Sequence, residues 1–183
     1  KKFTDIEDYL ASLELKMTIF EDDESIISRM SQMTQKTNQF NLTTKRYTEV
    51  DIQNFINDSN SDVYAFSVAD KFGDSGVTGL CIINIDDNSK TADIDTLLMS
   101  CRIIGRNVEY AFIDCIVDMM KERKVHIVRS KYIKTQKNEQ VKEFFDRCSF
   151  ALIDKSDSER NYTLDLRKYD PKHLSYIEVI NGK

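Results

Sequence analysis

The stretch Leu97-Leu98-Met99-Ser100-Cys101-Arg102-Ile103-Ile104-Gly105-Arg106-Asn107-Val108-Glu109 decides how this chain is read. An apolar run ends at Cys101, a basic loop with one glycine follows, and an amphipathic run then begins. A strand that feeds through such a loop into a helix N-terminus makes an anion site. The first helical N–H groups lack partners, glycine admits close approach of the backbone, and arginine adds charge. Arg102, Gly105, Arg106 and Asn107 form that loop. Cys101 lies between Ser100 and Arg102, near Arg106 and the helix start, where the nucleophilic thiolate is favoured. The alternative is a buried cysteine at a strand end.

Outward from this loop the periods are plain. Val108, Ala111, Phe112, Cys115, Ile116, Met119 and Met120 recur at helical spacing through about residue 123. Upstream, 91–99, 77–85 and 63–69 read as strands, with a glycine-bearing hairpin from Asp70 to Gly76. Thr43 to Tyr47 reads as a strand and Glu49 to Asn57 as a helix. Before them, 4–13 is a helix candidate, and Leu15, Met17 and Ile19 alternate as in a half-buried strand. Ile26, Ile27, Met30 and Met33 line a further helix, capped by Asp22 or Asp23. After the central helix, 125–132 reads as a strand, 137–148 as a helix, and 150–153 with 161–166 as a strand pair. The tail carries the single proline, Pro171, and either frays or docks.

Composition narrows the classes. The 183 residues fit one domain, and 40% hydrophobic with 31% charged residues describes an ordinary globular protein. No apolar run approaches the roughly 20 residues needed to span a bilayer. Lys1 and Lys2 are followed by acidic residues rather than an apolar core, so no signal peptide is expected. Four widely spaced cysteines form no metal pattern and no disulfide framework, which suits a reducing, cytoplasmic setting. The net charge is −5, yet residues 121–142 carry +6 and the remainder −11. A basic surface on an acidic chain suits an anionic protein partner, or is a solvated helix face with a lysine-protected edge strand. Nucleic acid is not expected.

Arg102-x-x-Gly105-x-Asn107 resembles the Arg/Gln-x-x-Gly-x-Gly/Ala pyrophosphate loop of GNAT acyltransferases. Together, Gln35 to Thr44, Asp70 to Gly76 and Ser100 to Arg106 resemble, in order, the C-terminal domain of FkbH-like proteins. That family joins a HAD-type phosphatase-like domain to a GNAT-like domain and loads bisphosphoglycerate-derived glyceryl units onto acyl carrier proteins. The resemblance implies an α/β GNAT-like (acyl-CoA N-acyltransferase) fold, with a central mixed β-sheet flanked by helices. An extra helical N-terminal segment over 1–42 would pack on a GNAT-like domain over 43–183. It implies an acyltransferase that moves a glyceryl-type group onto a carrier-protein phosphopantetheine thiol through a thioester on Cys101. The alternatives are a non-catalytic module that docks the carrier, and an acetyl-CoA-dependent N-acyltransferase.

Site residues follow from the same resemblance. Cys101 is the transient acceptor; apart from the resemblance, Asp95, which shares a strand face with Asp93 by its spacing of two, is a candidate base near the cleft. Arg102, Gly105, Arg106, Asn107 and Asn138 hold the phosphopantetheine arm or coenzyme A. Asn38, Gln39, Asn41, Asp70 and Asp74 contact substrate, although amides such as those at 38, 39 and 41 also satisfy their own loops. Two departures stand out. Asn107 replaces the last small residue of the loop, and Phe145 stands where the late GNAT motif carries a proton-donating tyrosine. The run Asp93-Ile94-Asp95-Thr96 copies the Asp-x-Asp-x-Thr phosphatase spacing but lacks an apolar strand before it. Partners are an acyl carrier protein and the HAD-type domain, with no membrane and no metal.

Overall fold

The computed structural model describes residues 5–182. The chain runs α1 (Ile6–Ser12), β1 (Leu15–Glu21), α2 (Ile27–Lys36), α3 (Glu49–Asn57), β2 (Ser61–Asp70), β3 (Gly73–Asp86) and β4 (Thr91–Met99). It continues through α4 (Val108–Glu122), β5 (Ile127–Ile133), α5 (Phe144–Arg147), β6 (Ala151–Lys155), β7 (Glu159–Asp165) and β8 (Ile177–Asn181). All eight strands form one mixed sheet in the order β6-β7-β5-β4-β3-β2-β1-β8. The helix expected over 4–13 is α1, and its residue 4 lies outside the described residues.

The apolar spacing explains the layers. Val108, Phe112, Ile116 and Met120 of α4 recur every four residues and pack with Leu10 and Leu13 on Phe66, Cys81 and Leu97 of the sheet. On the other face, Met30 and Met33 of α2 and Ile52 of α3 cover Val63, Leu80, Ile82 and Leu98. Each such side chain stabilises the fold by about 1.5–3 kcal/mol when fully buried. Thr48 and Asp51 start α3 with reciprocal side-chain-to-backbone bonds of 3.2 and 2.9 Å. Gly79 is required by close packing, since a Cβ there would lie 1.8 Å from the buried Phe66 ring. Gly79→Ala is expected to cost about 1–3 kcal/mol in urea unfolding, as overpacking does.

Several expectations are corrected. Residues 43–47 form no strand. β4 and β5 pair in parallel only from Thr91 to Asp93 against Ile127 to Arg129. The chain's own residues 40–42 then fill the space between them. Leu42 N donates to Leu97 O at 3.1 Å, Met99 N to Phe40 O at 3.0 Å, and Ile133 N to Leu42 O at 2.8 Å. The inserted segment thus satisfies backbone groups of both strands. The helix expected over 137–148 is broken into a 3-10 turn at Glu139–Val141 and the short α5. The hairpin expected over 70–76 turns at 71–72, with Asp70 opposite Gly73. The tail docks: β8 runs parallel to β1, from Leu15 opposite Ile177 to Ile19 opposite Asn181. The 1–42 segment therefore carries a strand of the common sheet as well as two helices.

Candidate functional site

Cys101 is the second residue beyond β4. Ser100 N donates to Thr78 O at 2.7 Å, which ties the strand end to β3. The Ser100 hydroxyl then accepts from Arg102 N and starts a 3-10 turn over Cys101–Ile103. Ile103 is fully buried and pins the turn, so Cys101 and Arg102 are left facing solvent. Gly105 has φ +94 with open space where a Cβ would stand, so the backbone angle, not crowding, calls for glycine. Asn107 has φ +63 and its amide donates to the Tyr176 hydroxyl at 2.9 Å. Its side chain is thereby turned to the C-terminal tail instead of crowding the loop.

The three stretches 35–44, 70–76 and 100–106 converge here. Cys101 Sγ–H donates to Gln39 Oε1 at 3.2 Å. Arg102 Nη2 donates to Ser75 O at 3.3 Å. Arg106 pairs with Asp70 at 3.9 Å and donates to Arg102 O at 2.8 Å. A pocket of about 310 Å³ opens beside the thiol, between Arg29, Met33 and Lys36 of α2 and residues 100–102. Burial, and then the neighbouring Arg102, hold the Arg29 guanidinium below its ordinary value. Among the described residues no carboxylate lines this pocket.

The other cysteines differ. Cys81 and Cys148 are buried, and burial pushes both thiols up. Burial and then Asp118 and Asp114 push the Cys115 thiol up to about 11. A thiolate is the nucleophilic form; all three therefore read as core residues, as their apolar settings implied.

Other expected site residues do other work. Asn138 is fully buried: its oxygen accepts from the Tyr132 hydroxyl at 3.1 Å and Thr135 N at 2.8 Å. Its nitrogen donates to Asn41 O and Ile133 O, both at 2.9 Å. Asn41 is also fully buried, bonded to Thr37 O at 3.1 Å and Thr44 N at 2.9 Å. Both amides are engaged in internal bonds that lock the inserted segment. Asn38 accepts from Arg46. Asp74 accepts from Gly76 N at 2.7 Å and shapes the hairpin.

Asp95 is the extra residue of a β-bulge, where the partners step from Ile82–Thr96 to Ile83–Ile94. Its carboxylate accepts from Lys45 at 2.9 Å, the Tyr47 hydroxyl at 2.7 Å and Thr96 at 2.8 Å. Burial, and then this bond to Asp95, raise Tyr47. Four steps of extended chain, at about 3.3 Å each, already separate Asp95 from Met99 at the end of β4, and its carboxylate is held by Lys45, Tyr47 and Thr96 rather than facing the Cys101 thiol.

The helix end is not a free anion site either. The Glu109 carboxyl, in the first turn of α4, has one oxygen buried without a hydrogen-bond partner among the described residues, and burial raises it. The sequence reading places an anion at this helix start without weighing that the first turn of α4 carries an acid of its own. The charge left for a phosphate is that of Arg102 and Arg106. The basic run is also split. Lys121 lies about 20 Å along α4 from the loop, at 1.5 Å per residue. Lys134 follows β5, which runs parallel to β4, and so stands at the Cys101 end. Arg29 and Lys36 were missed because α2 lies far upstream; their spacing with Met33 on one helix face was the available signal.

No family model and no curated protein matches the chain. Solved structures do. The chain is similar to the spermidine N-acetyltransferase SpeG of Vibrio cholerae, solved with CoA and spermine, at 11% identity and TM-score 0.63. That match covers 84% of this chain and 97% of that one. It is also similar to the ribosomal-protein-S18-alanine N-acetyltransferase of Escherichia coli, at 9% identity and TM-score 0.61, covering 82% and 94%. These likenesses show that the chain has the GNAT fold. No helix among the described residues is long and apolar enough to cross a membrane.

Proposed function

We propose that this domain transfers a glyceryl-type acyl group to the phosphopantetheine thiol of an acyl carrier protein, with Cys101 as transient acceptor. The observation that carries the reading is the exposed thiol set among Arg29, Lys36 and Arg102, at the point where the three FkbH-like stretches converge. The donor is an acyl phosphate derived from bisphosphoglycerate, presented by a HAD-type partner domain. The Cys101 sulfur attacks the acyl carbon, a C–S bond forms, the C–O bond to phosphate breaks, and the departing phosphate takes up the proton of the thiol. The carrier thiolate then attacks the thioester. The new C–S bond forms on the carrier, the bond to Cys101 breaks, and the proton lost by the carrier thiol returns to Cys101. Gln39 orients the sulfur through its hydrogen bond, and Arg102 with Arg106 holds the phosphate of the arm.

The fit to coenzyme A or a pantetheine arm is partial. The loop supplies two cations and an open glycine, while Asn138 and Asn41 are internal and the space between β4 and β5 is filled. No step is therefore assigned to coenzyme A, and the pantetheine arm enters only as the carrier's own thiol. A docking module without chemistry is the second reading. It is favoured by Phe145, which is buried among Phe144, Phe150 and Tyr162 and has no proton to give. The Cys101 chemistry needs no donor at that position.

The test is transfer to carrier protein by the domain charged with 1,3-bisphosphoglycerate. Cys101→Ala is expected to abolish transfer. Arg106→Gln is expected to raise the KM for carrier about tenfold, a loss near 1.4 kcal/mol, with a smaller change in kcat. Full transfer by the Cys101→Ala domain would sink the covalent reading.

A further inference from the structure

We propose that Arg29 and Lys36 make the Cys101 pocket selective for acyl groups that carry their own negatively charged substituent. The inference rests on the acyl-transfer reading above and names the substrate class of that site.

Residues 29, 33 and 36 fall on one face of α2 and form the wall opposite the thiol. Arg29 is fixed before any ligand arrives: Nε donates to Val77 O at 3.0 Å and Nη1 to Gln32 Oε1 at 2.7 Å. Among the described residues Nη2 has no partner, so one edge of the guanidinium is available. Arg102 lines the same pocket, and burial first and then Arg102 hold the Arg29 guanidinium below its ordinary value. Lys36, in the last turn of α2, adds a third positive charge. Some cations elsewhere on this protein are paired, as Arg123 is with Asp62, Arg129 with Asp93 and Lys131 with Glu159. Here three gather around one exposed sulfur and, among the described residues, none faces a carboxylate in the pocket. Like charges held together without a counter-ion are costly, and an incoming anion relieves that cost.

The pocket volume, about 310 Å³, suits a short acyl chain and lies at the lower end for small-molecule sites. With the carbonyl at Cys101, a short acyl chain extends into the pocket that Arg29 and Lys36 also line. A carboxylate or a phosphate there meets Arg29 and Lys36, whereas an acetyl methyl leaves them unpaired. A site built to pair a polar group discriminates against the analogue that lacks it.

The first test needs no transfer chemistry. Cys101 is alkylated with iodoacetate and with iodoacetamide, and the rates are read at the Cys101 peptide by mass spectrometry. Relative to free cysteine, the anionic reagent is expected to be favoured at least about tenfold. Lys36→Gln alone and the Arg29→Gln/Lys36→Gln pair are expected to bring that preference progressively toward one. In the second test the N-acetylcysteamine thioesters of acetyl, malonyl and 3-phosphoglyceryl groups are offered. Faster acylation of Cys101 by the two anionic groups is expected, and their order tells carboxylate from phosphate. Equal reaction of acetyl and malonyl, or an iodoacetate preference untouched by the double variant, overturns the proposal alone. Acylation by none of the three overturns the transfer reading and the proposal with it.

Discussion

Arg123→Met is expected to lower the unfolding free energy by about 3–5 kcal/mol, because it leaves a buried carboxylate without its counter-ion. Asp62 lies on β2 with its side chain only 3% exposed. It accepts from the Tyr64 hydroxyl at 2.7 Å on one oxygen and pairs with Arg123 on the other. Arg123 ends α4 and also donates to Ser59 O at 3.1 Å, so the pair staples the helix end to the sheet. Methionine keeps much of the aliphatic bulk and removes the charge. Asp62→Asn in the Arg123→Met background is expected to recover most of the loss, since no buried charge then remains. Urea unfolding of the two single variants and the pair measures this as a double-mutant cycle. Purely additive losses would mean that the carboxylate is solvated by some other route.

Asn138→Ala is expected to cost about 3 kcal/mol and to lower the melting temperature by about 10 °C for a chain of this size. Four hydrogen bonds disappear at once, and Asn41 O is left buried without the donor it has now. The loss reaches beyond stability. The inserted segment 40–42 is held from below by this amide, and Gln39, which accepts from Cys101, directly precedes it. Acylation of Cys101 is therefore expected to slow in the same variant. Asn38→Ala is the contrast: that amide is only partly buried and bonded to Arg46, and its loss is expected to stay below about 1 kcal/mol. If the two variants melt alike, the insertion does not depend on Asn138.

The fold was legible wherever period and turn chemistry agreed. α3 (Glu49–Asn57) and β4 (Thr91–Met99) have the bounds that the sequence suggests, because a capping box and a pair of turn-forming runs bracket them. The 43–47 strand was misread because Thr-Thr-Lys-Arg-Tyr has β-branched residues but no apolar alternation; a long-range insertion decides its place. β8 was hidden for the opposite reason. It is an edge strand with one buried residue, Ile177, so its pattern is weak. Among the expected site residues, Cys101, Arg102, Gly105 and Arg106 lie together on the loop after β4. The amides did not separate by type: Gln39 meets the thiol, while Asn41 and Asn138 are structural. Only burial, which a single sequence does not carry, tells those roles apart.

The central claim is that Cys101 carries the acyl group, and intact-protein mass tests it most directly. The domain is incubated with 1,3-bisphosphoglycerate in the presence of its HAD-type partner domain, beside Cys101→Ala. The account predicts a mass gain of one acyl group on the native domain, lost on addition of carrier protein and absent from the variant. No gain on the native domain, with carrier protein still bound, would contradict covalent catalysis and leave a docking module.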